Sequence, residues 1–224
     1  LGGAVAGTGL PLNFGLQTTA GTYTVKATTT ATSCSNNMTG SANVAVNILP
    51  ASYIVTGGGN YCSGDAGVHI GLSNSDAGIS YQLYNGTASV GAPVTGTGTP
   101  IDLGVFTANG SYTVVAKNMA TLCTSNMTGS VGVGINPLPT VFNVVGGGAY
   151  CSGSGGVHVG LSSSSAGVSY ELRKDGVPVT VMTGTGVPID FGLITATGNY
   201  TVVATNSTTT CTNSMAGSAV VSVN

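Results

Sequence analysis

GTYTVKAT at 21–28 returns as GSYTVVAK at 110–117 and again as GNYTVVAT at 198–205. Each copy opens on glycine and carries a tyrosine, Tyr23, Tyr112 or Tyr200, two residues later. A cysteine follows each tyrosine at one spacing: Cys34, Cys123 and Cys211. YCSG at 61–64 recurs at 150–153, and TGTG at 95–98 recurs at 183–186. A fixed period of this kind is the sequence signature of a repeat architecture. The period is 89 residues and then 88, and the lost residue falls between Tyr170 and Pro188. The spacing divides the chain into a half repeat (1–50), a full repeat (51–138) and a second full repeat (139–224).

Each full copy reads as short strands. Val68, Ile70 and Leu72 alternate with outward His69 and Gly71. Ile79, Tyr81 and Leu83 share one face, as do Tyr112, Val114 and Ala116, and Val131, Val133 and Ile135. This is period-two patterning broken by Gly, Asn and Pro, and no segment sustains a helical period. About seven such strands in a 90-residue unit predict an all-β chain of tandem immunoglobulin-like antiparallel sandwiches. The junctions NILPAS at 47–52 and NPLPTV at 136–141 are short and proline-stiffened, as semi-rigid spacers are.

Composition excludes several partners. Only 4% of residues are charged, against about 25% in ordinary domains. Four Lys+Arg cannot displace many phosphate counterions, so nucleic acid is excluded. No apolar run approaches the roughly 18 residues of a membrane span, so no membrane insertion is expected. Strands rich in Val, Thr and Tyr with few charges tend to pair edge to edge, which predicts homotypic contacts.

The motifs VTGGGNYCSG at 55–64, AGISYQLYNG at 77–86 and NMTGS at 126–130 carry a resemblance, as do VVGGGAYCSG at 144–153 and AGVSYELRKDG at 166–176. The chain resembles the PKD-like or immunoglobulin-like tandem repeats of large secreted surface proteins of Bacteroidota, found in gliding- and adhesion-associated proteins. The resemblance implies a secreted bacterial protein, a long parent chain, and an adhesive or filament role at the cell surface. One departure stands out: Tyr112 meets the tyrosine-corner position, but Val114 stands where antibody domains carry cysteine.

Five cysteines fit the repeat, with Cys62 and Cys151 early in their copies and Cys34, Cys123 and Cys211 late. The simplest connectivity pairs Cys62 with Cys123 and Cys151 with Cys211, leaving Cys34 unpaired in this window. Disulfides imply an oxidising compartment. With no CxxC pair and one histidine per full copy, metal-ligand thiols are the weaker reading.

No residue is expected to serve as a catalytic, cofactor-binding or metal-binding group. His69 and His158 are repeat equivalents expected to stand alone on an outward face. Asp102 and Asp190, with Asn13 in the first copy, read as turn caps. Asp65 becomes Ser154 and Asp76 becomes Ser165, which argues against a shared calcium site. TGGGNYCSG lacks the GK[ST] of a phosphate loop. Asn85, Asn109 and Asn199 begin glycosylation triplets, which leaves glycosylation open. The expected function is a non-catalytic structural or adhesive segment of an extracellular filament or adhesin stalk. The alternative is a carbohydrate-binding module of a secreted multidomain enzyme, with surface glycans as partner. Against it, the chain has no Trp, and outward Tyr84 becomes Arg173 in the next copy. Residues 1–50 lack the early strands of the repeat. Val25, Ala27, Val44 and Val46 are therefore expected to face no opposing sheet unless a longer polymer of repeats supplies one.

Overall fold

A computed structural model describes residues 3–224, and every regular element among them is a strand. β1 (Gly21–Tyr23), β2 (Lys26–Thr28), β3 (Ser35–Asn37) and β4 (Ala42–Val44) form two antiparallel pairs, β1 with β4 and β2 with β3. The middle of the chain contributes β5 (Val55–Gly57), β6 (Gly59–Cys62), β7 (Val68–Leu72), β8 (Ile79–Asn85) and β9 (Ala88–Thr95). It continues with β10 (Ile101–Phe106), β11 (Gly110–Asn118), β12 (Thr124–Asn126) and β13 (Val131–Asn136). The last part repeats the order: β14 (Val144–Gly146), β15 (Gly148–Tyr150), β16 (Val157–Leu161), β17 (Val168–Lys174) and β18 (Val177–Thr183). It ends with β19 (Ile189–Ile194), β20 (Gly198–Asn206), β21 (Thr212–Ser214) and β22 (Ala219–Val223).

In the middle set, one sheet runs β10-β7-β5 and the other β6-β13-β11-β8-β9, with β12 added to β11. Alternate residues of both sheets meet in one core. Val55, Ile70 and Leu72 come from the first sheet, and Tyr81, Leu83, Tyr112, Val114, Ala116 and Val133 from the second. The last set repeats this as β14-β16-β19 against β15-β22-β20-β17-β18. Burying such side chains contributes about 1.5–3 kcal/mol each, and the period-two faces supply them without interruption. The exception is Ile135, which is exposed because β13 has run past the core by then.

The first strand of each set changes sheets. β5 pairs antiparallel with β7, and after one residue β6 pairs parallel with β13. The hinge is Gly57-Gly58-Gly59, all at positive φ, where residues with a Cβ are strained. A Cβ on Gly57 would lie 2.1 Å from the His69 carbonyl oxygen, and one on Gly58 would lie 2.7 Å from that of Gly132. Gly146-Gly147-Gly148 repeats the hinge between β14 and β15. The glycines of TGGGNYCSG are therefore a strand-crossing device.

Tyrosine corners close the far side. Tyr112 Oη donates to the Ala108 carbonyl at 2.8 Å, Tyr200 to Ala196 at 2.7 Å, and Tyr23 to Thr19 at 2.8 Å. Residues 3–50 keep this corner but bury little else. Val25 is 38% exposed, whereas its equivalent Val114 is 1% exposed. The difference is the opposing sheet, which residues 3–50 do not provide.

Gly57→Ala should lower stability by about 2–4 kcal/mol, because φ strain and a backbone collision add. Gly59→Ala, with φ strain but open space at its Cβ, should cost less. Urea midpoints of the two variants measure the difference.

Candidate functional site

The cysteines are the first candidates, and their positions follow from strand direction. β6 runs parallel to β13 and ends with Cys62 opposite Asn136, where the chain leaves the sandwich. The late cysteine lies at the other end. Beyond the last residue of β11 a tight turn holds Cys123, and β12 then passes Ser52, whose Oγ donates to the Asn126 carbonyl at 3.1 Å. Cys62 and Cys123 are thus separated by the nine-residue strand β11, about 30 Å at 3.3 Å per residue. A disulfide requires Cα atoms within about 7 Å, so the pairing expected within a repeat cannot form.

The structure joins Cys62 to Cys211 instead, with Cα atoms 5.5 Å apart and a sequence separation of 149. This corrects both expected pairs, Cys62–Cys123 and Cys151–Cys211. Cys34, Cys123 and Cys151 are free thiols. The bridge joins the exit end of one sandwich to the entry end of the next. At that entry end, Asn213 Nδ2 donates to the Pro139 carbonyl at 2.9 Å, and Asn143 bridges Ala216. Sequence counting grouped cysteines by repeat. Only the length of β11 and the parallel course of β6 show that the two in one repeat lie at opposite ends.

The turn that presents the late cysteine is the same in both complete copies. Asn118 Oδ1 accepts from the Ala120 and Thr121 amides, and Asn206 Oδ1 from those of Thr208 and Thr209. The residue before the cysteine is left-handed: Leu122 at φ 62°, Thr210 at φ 60° and, in the first copy, Ser33 at φ 56°. A backbone bond closes each turn, from Asn118 N–H to Cys123, Asn206 N–H to Cys211 and Thr29 N–H to Cys34.

The histidines are not isolated, contrary to the sequence expectation. His69 Nδ1 lies 2.7 Å from Asp102 Oδ2, and His158 Nδ1 lies 2.7 Å from Asp190 Oδ2. Asp102 stands opposite Gly71, two residues along β7 from His69 on the same face. A register shift between Asp102 and Gly104 aims the carboxylate diagonally at the ring. The other carboxylate oxygen caps the turn, as the sequence expected: Asp102 Oδ1 accepts from Gly104 N–H at 2.9 Å and Asp190 Oδ1 from Gly192 N–H at 2.8 Å. Asn13 does the same for Gly15 in the first copy.

Both pairs are open to solvent, with the His69 side chain 70% exposed and Asp102 56%. A 370 Å³ depression beside His69 is lined mainly by backbone and aliphatic groups of β5, β7 and β10. Among the described residues no group of three metal-ligating side chains occurs. An exposed imidazole–carboxylate pair with no nucleophile bonded to it can hold a charge and brace two strands.

Two further groups escaped the sequence. Tyr53 Oη donates to Asp76 Oδ1 at 2.6 Å, and this bond to a carboxylate is the main cause that pushes the phenol up to about 12. The next copy has Phe142 and Ser165 at these positions, so donor and acceptor are lost together. Ser75 and Ser164 are buried, and each hydroxyl donates to a carbonyl across the sandwich, Thr99 and Val187 respectively. Tyr84 lines a 240 Å³ depression with Gln82 and Lys117. Its counterpart Arg173 is held by Glu171 at 2.5 Å.

The strand order and the corners define tandem immunoglobulin-like β-sandwich domains. No protein-family model matches the chain, and no curated protein matches it. Among solved structures it is similar to the human OSCAR ligand-binding domain, at 16% identity over 78% of this chain and 100% of that one, TM-score 0.33. Murine CEACAM1b is similar at 10% identity over 77% and 100%, TM-score 0.39. The Clostridium thermocellum CbhA fibronectin(III)-like modules are similar at 12% over 76% and 95%, TM-score 0.40.

Both aspartates titrate below the ordinary carboxylate range. Gly104 N–H is the main cause for Asp102, and the His158 bond is the main cause for Asp190. A carboxyl whose folded pKa is depressed stabilises the fold above its unfolded pKa of about 3.9. That contribution disappears as the pH falls through the folded value. NMR titration should therefore give midpoints below 3.9 at both carboxyl carbons. His158→Gln should raise the Asp190 midpoint more than His69→Gln raises that of Asp102.

Proposed function

We propose that the chain is a non-catalytic, load-bearing segment of an extracellular filament or cell-surface adhesin stalk, built to associate with copies of itself. The observation that carries this reading is the Cys62–Cys211 bridge, which ties one sandwich to the next in addition to the peptide linker. A junction closed twice resists bending and pulling, which a stalk needs and a freely hinged binding module does not. The bridge also fits an oxidising compartment. The open histidine–aspartate pairs and shallow depressions offer no enclosed place for a reaction. The carbohydrate-binding alternative has one half-buried ring in its favour, Tyr84, and no ring at the matching place in the next copy.

Self-association is supported by the sheet edges. β18 is the outer strand of its sheet, and Val177, Val179 and Val181 along it are 65%, 51% and 58% exposed. Few charges guard it, since the whole chain has ten, and unguarded apolar edges pair with one another. Burying each valine would contribute about 1.5–3 kcal/mol. Val179→Lys with Val181→Lys should therefore raise the concentration needed for assembly, read by light scattering, at least about tenfold. Immunogold labelling of intact source cells tests the location. Label on extracellular fibres is expected, and label confined to the cell interior overturns the proposal.

A further inference from the structure

The bridged pair has free counterparts. Cys151 occupies in the last sandwich the place that Cys62 occupies in the middle one, and Cys123 occupies in the middle sandwich the place of Cys211 in the last. We infer that the Cys62–Cys211 bond is one instance of a recurring staple. Cys151 is the site that takes the late cysteine of another copy of this sandwich, and Cys123 is the site that takes an early one. This rests on the reading of the chain as a load-bearing repeat segment and deepens it into a covalently continuous rod.

Three observations carry the inference. The geometry of such a bond exists in the molecule, made by the equivalents of both free residues. The free ends are placed as the bonded ones are. The Ser63 amide, next after Cys62, donates to the Asn136 carbonyl, and the Asn224 amide donates to the carbonyl of Tyr150, next before Cys151, so each early cysteine lies against the last residues of its sandwich. Cys123 and Cys211 sit in the same asparagine-held turn after a left-handed residue. Finally, the thiols are accessible, with Cys151 exposed and Cys123 half-buried. Cys34 is exposed in the same backbone-closed turn and belongs to the late class. The two classes are complementary: a link needs one exit-end and one entry-end cysteine, so like classes do not pair.

Each link removes two electrons and two protons from two thiols, and the oxidant is a small-molecule disulfide. The Cys151 thiolate attacks one of its sulfurs, expelling a first thiol and leaving a mixed disulfide. The late-class thiolate then attacks the Cys151 sulfur, forming the staple and expelling the second thiol.

The test is oxidation of the purified 224-residue chain with glutathione disulfide, followed by alkylation, non-reducing electrophoresis and peptide mapping. Cross-links joining Cys151 to Cys34 or Cys123 of another copy are expected, with the Cys62–Cys211 bond retained. Cys151→Ser should abolish the multimers. Cross-links dominated by Cys151–Cys151 or Cys34–Cys34, or thiols that stay free, overturn the inference. The same mapping on protein from its native source separates the two origins of the partner. A ladder that collapses on reduction means separate copies. A single band with Cys123 bonded to an early-class peptide means a neighbouring repeat of one polypeptide. Free Cys123 and Cys151 there overturn the staple. Failure of the lysine variants to affect assembly would count against edge pairing alone, because these cross-links are read by connectivity.

Discussion

Each complete sandwich depends on one strand serving two sheets. The glycine triplet lets the chain leave the edge beside β7 and cross to the edge beside β13 within a single residue. Without that crossing, one sheet would lose its first strand or the other would end on a bare β13. The crossing also reverses the local sense, since the second half of the strand is parallel to its neighbour. It therefore delivers Cys62 to the end at which the chain departs for the next repeat. The bridge between repeats is a consequence of how the core is closed.

The polar groups make the same point at smaller scale. Side chains that look unrelated in sequence brace strands and the loops between them. His69 reaches Asp102, Ser75 reaches the Thr99 carbonyl and Tyr53 reaches Asp76. Of these groups the Ser75 hydroxyl is buried, and leaving such a group unpaired would cost about 1–3 kcal/mol. The joint replacement of Tyr53 and Asp76 by Phe142 and Ser165 fits this account. A half-buried carboxylate facing a phenyl ring would lose this donor.

The scarcity of charge has its meaning at the surface. Gly, Ser, Thr and Asn keep the exterior polar through uncharged hydrogen-bonding groups, so like-charge repulsion does little to hold copies apart. The β18 edge and the sparsely covered strands of residues 3–50 present apolar side chains in that setting. Val25 and Val114 are the same residue in the same pattern, exposed in one place and buried in the other by the presence of a second sheet.

The sequence by itself determined the repeat, the all-β character and most of the core. Tyr81, Leu83, Tyr112 and Val114 are buried where period-two alternation placed them, because side-chain direction along a strand is a local property of the backbone. It also read Asp102 and Asp190 as turn caps, since the bond to an amide two residues on is local. Only the tertiary structure decided which cysteine meets which, and that the histidines have partners. Those contacts depend on which strands are neighbours, in what direction and at what register. A parallel first strand, a nine-residue central strand and a one-residue shift in β10 set them. None of these is written in the spacing of Cys62 from Cys123 or of His69 from Asp102, because contact across a sheet is fixed by the path of the whole chain.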